Sequence, residues 1–152
     1  LFCFSALASN LSGTGTAIKW YATSNGSALD NNTPLSTATY FASQTENNCE
    51  SPKTEFAVTI QNTAAPVANT TQAFFTGAKI RDIVIQGTDI RWYASEADAL
   101  SNSNVLNPET VLIAGSTYYA TQTVSLCRST SATAVTVNFN LAAVGFDKSE
   151  TE

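Results

Sequence analysis

The chain has 152 residues, 43 % of them hydrophobic and only 12 % charged, with a net charge of −5. That hydrophobic share predicts a buried core, while Ser, Thr and Asn together supply 51 residues for a surface that is polar but largely uncharged. The absence of histidine excludes Ser-His-Asp and Cys-His nucleophile systems and any imidazole metal ligand; seven scattered cations make no basic stripe for nucleic acid, and no apolar run reaches the length of a membrane span.

Along the chain, two blocks occur twice. Gly-Thr-Ala-Ile-Lys-Trp-Tyr-Ala-Thr at Gly15–Thr23 returns as Gly-Thr-Asp-Ile-Arg-Trp-Tyr-Ala-Ser at Gly87–Ser95. Thr39–Ser51, which contains Cys49, returns as Thr117–Ser129, which contains Cys127. Trp20 to Trp92 is 72 residues and Cys49 to Cys127 is 78, so the second copy carries a six-residue insertion between Tyr93 and Tyr118. A duplicated unit of this length implies two domains of one plan.

The elements read as strands in both copies. In the first, Ile18, Trp20 and Ala22 alternate with Lys19 and Tyr21, a period of two that turns Trp20 inward and Tyr21 outward. The Thr- and aromatic-rich run from Thr39 then places Tyr40 and Ala42 inward and Phe41 outward. Glu46–Cys49 reads as a hairpin loop, followed by a strand with Phe56, Val58 and Ile60 on one face. A polar connection, Gln61 to Gln72, carries Pro66 and leads into the second copy. There Trp92 and Tyr118 take the inward positions, with Arg91, Tyr93 and Tyr119 outward, and Val135, Val137, Phe139 and Leu141 form the last face. One helical turn is expected at Ser95–Asn102, inside the insertion. The expected boundaries are 1–62 for domain 1, 63–141 for domain 2 and 142–152 for a charged linker tail. Starting at Leu1 without methionine, the sequence reads as part of a larger parent chain, with the lead-in strand of domain 1 missing.

Short strands, an early central tryptophan and an aromatic strand leading to a cysteine predict an all-β fold with a β-sandwich in each copy. The pattern Cys3…Leu11…Gly15-Thr-Ala-Ile-Lys-Trp-Tyr…Thr39-Tyr-Phe-Ala-Ser-Gln…Cys49-Glu-Ser…Ala57-Val-Thr-Ile60 resembles the bacterial immunoglobulin-like repeats of Bacteroidota-type secreted surface proteins, which implies two tandem immunoglobulin-like β-sandwich domains. The resemblance covers both copies up to about Leu141. It implies an extracellular or cell-surface setting in adhesins and polysaccharide-degrading enzymes exported by the type IX secretion system. It also implies an accessory module with no active site and no cofactor.

In that oxidising setting a disulfide between Cys3 and Cys49 is expected, with Cys127 left as a free thiol. Phe75 stands in copy two where copy one has Cys3, so Cys127 either packs beside Phe75 in the core or is exposed and available for a dimer. The acidic residues are scattered and form no recurring pair of the kind glycoside hydrolysis needs. The Asp30–Thr33 loop lacks the spaced aspartates of a calcium loop, and no metal is expected. The sequence therefore predicts a non-catalytic spacer or stalk, its two domains set out in an elongated pair. The alternative is a carbohydrate-binding or adhesion module that stacks a sugar on the outward rings, chiefly Tyr93 and Tyr119 beside Arg91, with Tyr21 and Phe41 as the copy-one counterpart. Partners would be a polysaccharide or a surface protein, the latter by strand addition at an open edge.

Overall fold

The computed structural model describes residues 1–140; the expected linker tail and Leu141 lie outside the described residues. The fold is all-β, mostly strand with one α-helix. The chain divides into two compact units. Unit 1 is Leu1–Thr63 together with Ser125–Arg128, and unit 2 is Ala64–Val124 resuming at Ser129. The segment Ser125–Arg128 belongs by sequence to the second copy but groups with unit 1, which the expected linear boundaries do not capture.

Unit 1 begins with β1 (Phe2–Cys3), followed by β2 (Lys19–Tyr21) and β3 (Ala38–Ser43). The short β4 (Thr45–Glu46) and β5 (Cys49–Glu50) form a hairpin, and β6 (Thr54–Val58) and β7 (Ile60–Gln61) are one strand interrupted at Thr59. β3 pairs antiparallel with both β2 and β6, while β1 lies parallel to β7 with Phe2 opposite Ile60. Thr59 is skipped, but Phe2 N donates to its carbonyl at 2.8 Å, so the ladder continues through the break.

Unit 2 repeats the order, with a longer parallel pairing of its first strand. It comprises β8 (Thr71–Phe74), β9 (Arg91–Tyr93), helix α1 (Glu96–Ser101), β10 (Thr117–Thr121), β11 (Thr123–Val124) and β13 (Thr133–Phe139). Between β11 and β13 lies β12 (Cys127–Arg128), whose residues group with unit 1. The sheet order is β8-β13-β10-β9, with β8 parallel to β13 and Phe74 opposite Phe139. The Thr- and Val-rich run Thr133–Val137 and the Thr- and Tyr-bearing run Thr117–Thr121 suit these central positions.

Each sheet packs one face against an irregular segment that carries a short 3-10 turn. In unit 2 that turn is Ile80–Asp82; Ile80, Ile83 and Leu112 meet Trp92, Tyr118, Ala120, Val135 and Val137. In unit 1 the turn is Ala8–Asn10, and Ala8, Leu11 and Leu35 meet Tyr40 and Val58. Both turns are held the same way: Asn10 Oδ1 accepts from Leu7 N, and Asp82 Oδ2 accepts from Lys79 N, each at 2.7 Å. The one helical turn expected, in the insertion, is α1, capped by Ser95, whose Oγ accepts from Asp98 N at 3.1 Å.

The expected core residues separate. Trp92, Tyr40 and Tyr118 are buried, and Trp20 is half-buried against the unit 1 core with its ring edge-on to Phe56 at 5.4 Å. Phe75 is a correction. It is 68 % exposed and has no place in the core, because the cysteine it was expected to pack against faces elsewhere.

Candidate functional site

The pairing expected for the cysteines is overturned. The disulfide joins Cys3 to Cys127, with Cα atoms 5.2 Å apart, and Cys49 is the free, exposed thiol. Both bonded residues belong to unit 1, which takes the hairpin tip Ser125–Arg128 from the second copy. Thr63, also buried, adds a second tie by donating its Oγ1 to the Cys127 carbonyl at 2.9 Å. The physical reason for the miss lies in the hairpins themselves. Asn47 and Asn48 have φ of 48° and 63°, and Ser125 and Leu126 have 50° and 68°. Both hairpins therefore turn through two left-handed residues and present their cysteine at the same place, directly after the turn. Repeat symmetry cannot tell which of two identical hairpins meets Cys3.

The outward aromatic rings are paired across the sheet, Tyr21 opposite Phe41 and Tyr93 opposite Tyr119. They do not form an exposed platform, which corrects the expectation for the carbohydrate site. Tyr93 is fully buried and Tyr21 nearly so, while Phe41 and Tyr119 are half-buried. In unit 2 the cover comes from the insertion: α1 packs on β9 and β10 with Ala99 fully buried, and Tyr93 Oη donates to Asn102 Oδ1 at 2.8 Å. Arg91 reaches the same Asn102 oxygen from its exposed position, at 3.5 Å. In unit 1 no helix is present at this place, and charge does the work. Lys53 Nζ sits 3.6 Å over the Tyr21 ring, held by the Gly26 carbonyl at 3.2 Å. Tyr21 Oη and Ser43 Oγ both donate to Glu50 Oε1, the latter at 2.6 Å, and Lys19 lies 3.7 Å from the other oxygen. The Ser43 and Tyr21 hydroxyls, with Lys19 nearby, hold the Glu50 carboxyl below its ordinary value. A carboxylate kept ionised in this way is a hydrogen-bond anchor and a poor base for activating Ser43.

Sequence reasoning also missed a groove in unit 1. It is lined by Gly13, Thr14, Ile18, Trp20, Gln44 and Thr54, among others, and Trp20 forms its apolar wall. The corresponding place in unit 2 is filled by the chain's own Ala64–Ala68 segment, in which Pro66 is buried and Ala68 packs on the core.

No group of three or more acidic or thiol side chains among the described residues is placed to hold a metal ion. No helix among them is long and apolar enough to cross a membrane. No family model matches the chain, and no curated protein matches it.

Proposed function

We propose that the chain is a non-catalytic, immunoglobulin-like tandem module that serves as a mechanical spacer in an exported or cell-surface protein. The observation that carries this reading is the Cys3–Cys127 disulfide, which closes a loop of sequence separation 124 in a chain of 152 residues. A tension applied through the chain ends cannot extend the enclosed residues while that bond is intact. A disulfide of this kind persists outside the reducing cytosol, which supports an extracellular setting. The burial of Tyr93 and Tyr21 speaks against the sugar-stacking alternative, because a stacking platform needs open ring faces.

The test is single-molecule stretching between the two ends, with and without reductant. The enclosed residues should stay locked under oxidising conditions, and reduction should add roughly 430 Å of extension, at about 3.5 Å per residue. Equal extension in both conditions would sink the spacer reading. Saturable binding to a polysaccharide that is lost in Phe41→Ala and Tyr119→Ala variants would replace it with the carbohydrate-binding one.

A further inference from the structure

In unit 1 the far-face ring of Tyr21 is closed over by Lys53, and Lys53 is itself held by the turn that follows β2. Its Nζ donates to the Gly26 carbonyl at 3.2 Å and sits 3.6 Å from the centre of the Tyr21 ring. Among the described residues this ammonium has no carboxylate partner, since the ion pair of unit 1 joins Lys19 to Glu50. The cover that leaves Tyr21 only 4 % exposed therefore depends on where one turn carbonyl stands.

That turn runs Thr23-Ser-Asn-Gly-Ser27 and carries the chain's one Asn-Gly step, Asn25–Gly26. The backbone nitrogen after an asparagine can close a five-membered ring on the side-chain Cγ, and glycine, lacking a Cβ, obstructs that closure least. Asn25 is exposed, and its amide has no hydrogen-bond partner among the described residues. The Gly26 N–H is held by the Thr23 carbonyl at 3.3 Å, longer than the usual N–H···O range. Every other asparagine precedes a residue that has a Cβ. The nearest rival is Asn102–Ser103, where both reacting groups are engaged. Asn102 Oδ1 accepts from Tyr93 Oη at 2.8 Å, and Ser103 N donates to the Asp98 carbonyl at 3.0 Å.

We propose that Asn25 is a self-modifying site, whose conversion to iso-aspartate releases Lys53 from Tyr21. Gly26 N gives its proton to solvent and attacks Asn25 Cγ; the Cγ–Nδ2 bond breaks, and the nitrogen takes up a proton and leaves as ammonia. One water then opens the cyclic imide, its hydroxyl going to a ring carbonyl carbon and its proton to Gly26 N. One water is consumed and one ammonia released, with no change of oxidation state. Opening at Cγ gives aspartate. Opening at the backbone carbonyl gives iso-aspartate, in which the main chain gains one carbon between residues 25 and 26.

Either product puts a carboxylate into a turn that had none, and iso-aspartate also displaces the Gly26 carbonyl. Lys53 then has a charged acceptor in place of a neutral one and is drawn off the ring, so the Tyr21 face opens as the chain ages. Unit 2 has no such site. By the 72-residue offset of the tryptophans the matching position is Ala97, inside the helix α1 that packs on β9. The proposal stands apart from the spacer reading, because it needs only the turn and Lys53.

The test uses the full oxidised chain, kept folded in mildly alkaline buffer at body temperature and, in parallel, unfolded in guanidinium chloride. Peptide maps with fragmentation follow the amide-to-acid mass gain. Asn25 should convert in both samples, with iso-aspartate the larger product, and Asn102 in the unfolded sample alone. An Asn25 that converts when unfolded but stays intact when folded overturns the site. In the fresh chain the Lys53 Hε resonance should lie upfield of the other lysines, shifted by the Tyr21 ring, and should return to their position in step with the conversion. A resonance that stays upfield in the converted chain overturns the release. Gly26→Ala should remove both changes. A Cβ there would stand 2.7 Å from Thr23 Oγ1, so Thr23→Ala is made in the same chain to give it room. Conversion at an undiminished rate in that double variant also overturns the proposal. No outcome alters the reductant dependence of the stretching curve, so the spacer reading fails or survives separately.

Discussion

The two hairpins at Asn47–Asn48 and Ser125–Leu126 share a turn geometry but differ in what they do. The first carries two asparagines, residues that tolerate left-handed backbone, and leaves its cysteine free. The second forces a serine and a 95 % exposed leucine into the same conformation, and its cysteine is 2 % exposed and oxidised. Intrinsic turn preference would have ranked the asparagine hairpin as the better formed. Burial and a covalent bond hold the less suitable one instead, a case of tertiary context overriding local propensity. The difference also shows that duplication preserves backbone more faithfully than it preserves partnership.

The sharpest way to break this comparison is to remove the cysteines one at a time. In the chain-entropy model, closing a loop of sequence separation 124 stabilises by about 5 kcal/mol. Cys3→Ser and Cys127→Ser should each lower the free energy of unfolding by up to that amount, and reductant should do the same to the wild type. Cys49→Ser should leave the denaturant midpoint almost unchanged. Urea melts of the three variants with and without dithiothreitol measure all of it. A large loss for Cys49→Ser and none for Cys127→Ser would restore the pairing expected from the sequence and reject the one described.

Much of the sheet was legible because the sequence states its pattern twice. The alternation around Trp20 and Trp92 and the aromatic runs after Thr39 and Thr117 are strong period-two signals. The sheet duly pairs Tyr21 with Phe41 and Tyr93 with Tyr119. What alternation cannot convey is whether the second face of a sheet is covered. Tyr93 was expected outward and does lie on the far face from Trp92's core, but α1 and Asn102 close over it. The insertion was visible as a length difference, while its docking on β9 and β10 depends on Ala99 fitting without a side chain larger than a methyl. For Tyr21 the cover is one lysine, Lys53, whose direction no pattern announces. The Trp20 groove was hidden for a related reason: a seat becomes recognisable only when the segment that fills it in the other copy is seen in place.

The same two covers predict substitutions of opposite sign at equivalent positions. Ser43 and its counterpart Thr121 are both buried on the far face. Ser43 donates its hydroxyl to Glu50, whereas Thr121 Oγ1 is buried with no hydrogen-bond partner among the described residues. Glu50 is replaced by Arg128 in the second copy, so the acceptor that satisfies Ser43 has no carboxylate equivalent there. Ser43→Ala should therefore destabilise by about 1–2 kcal/mol, and Thr121→Val, which keeps the shape and deletes the unsatisfied hydroxyl, should stabilise by about 1 kcal/mol. Thermal melts of the two single variants decide it; a loss in both would mean that Thr121 is satisfied in solution.

The smallest expected effect is electrostatic, and it follows from the same Glu50-for-Arg128 exchange. The Ser43 and Tyr21 hydroxyls hold Glu50 below its ordinary value of 4.5 in the folded chain. A carboxyl lowered on folding adds stability above its unfolded value, and that contribution is lost as pH falls through the lower folded value. Glu109, held down by hydrogen bonds from Lys79 and Arg81, and Asp98, held down by Ser95 and Asn104, act in the same direction in unit 2. The wild type should thus lose stability on acidification below about pH 4.5, the unfolded carboxylate range. Glu50→Gln should flatten that acid slope, because the glutamine has no proton to take up. Urea midpoints at steps between neutral pH and pH 3 give the slopes directly. Because all three carboxylates are at the surface, added salt should shrink the part that comes from Lys19, Lys79 and Arg81 and spare the part that comes from the hydroxyl and amide hydrogen bonds. A Glu50→Gln slope that matches the wild type at both low and high salt would mean that the Tyr21–Ser43–Glu50 anchor is not formed in solution, and that the difference between the two far faces lies in α1 alone.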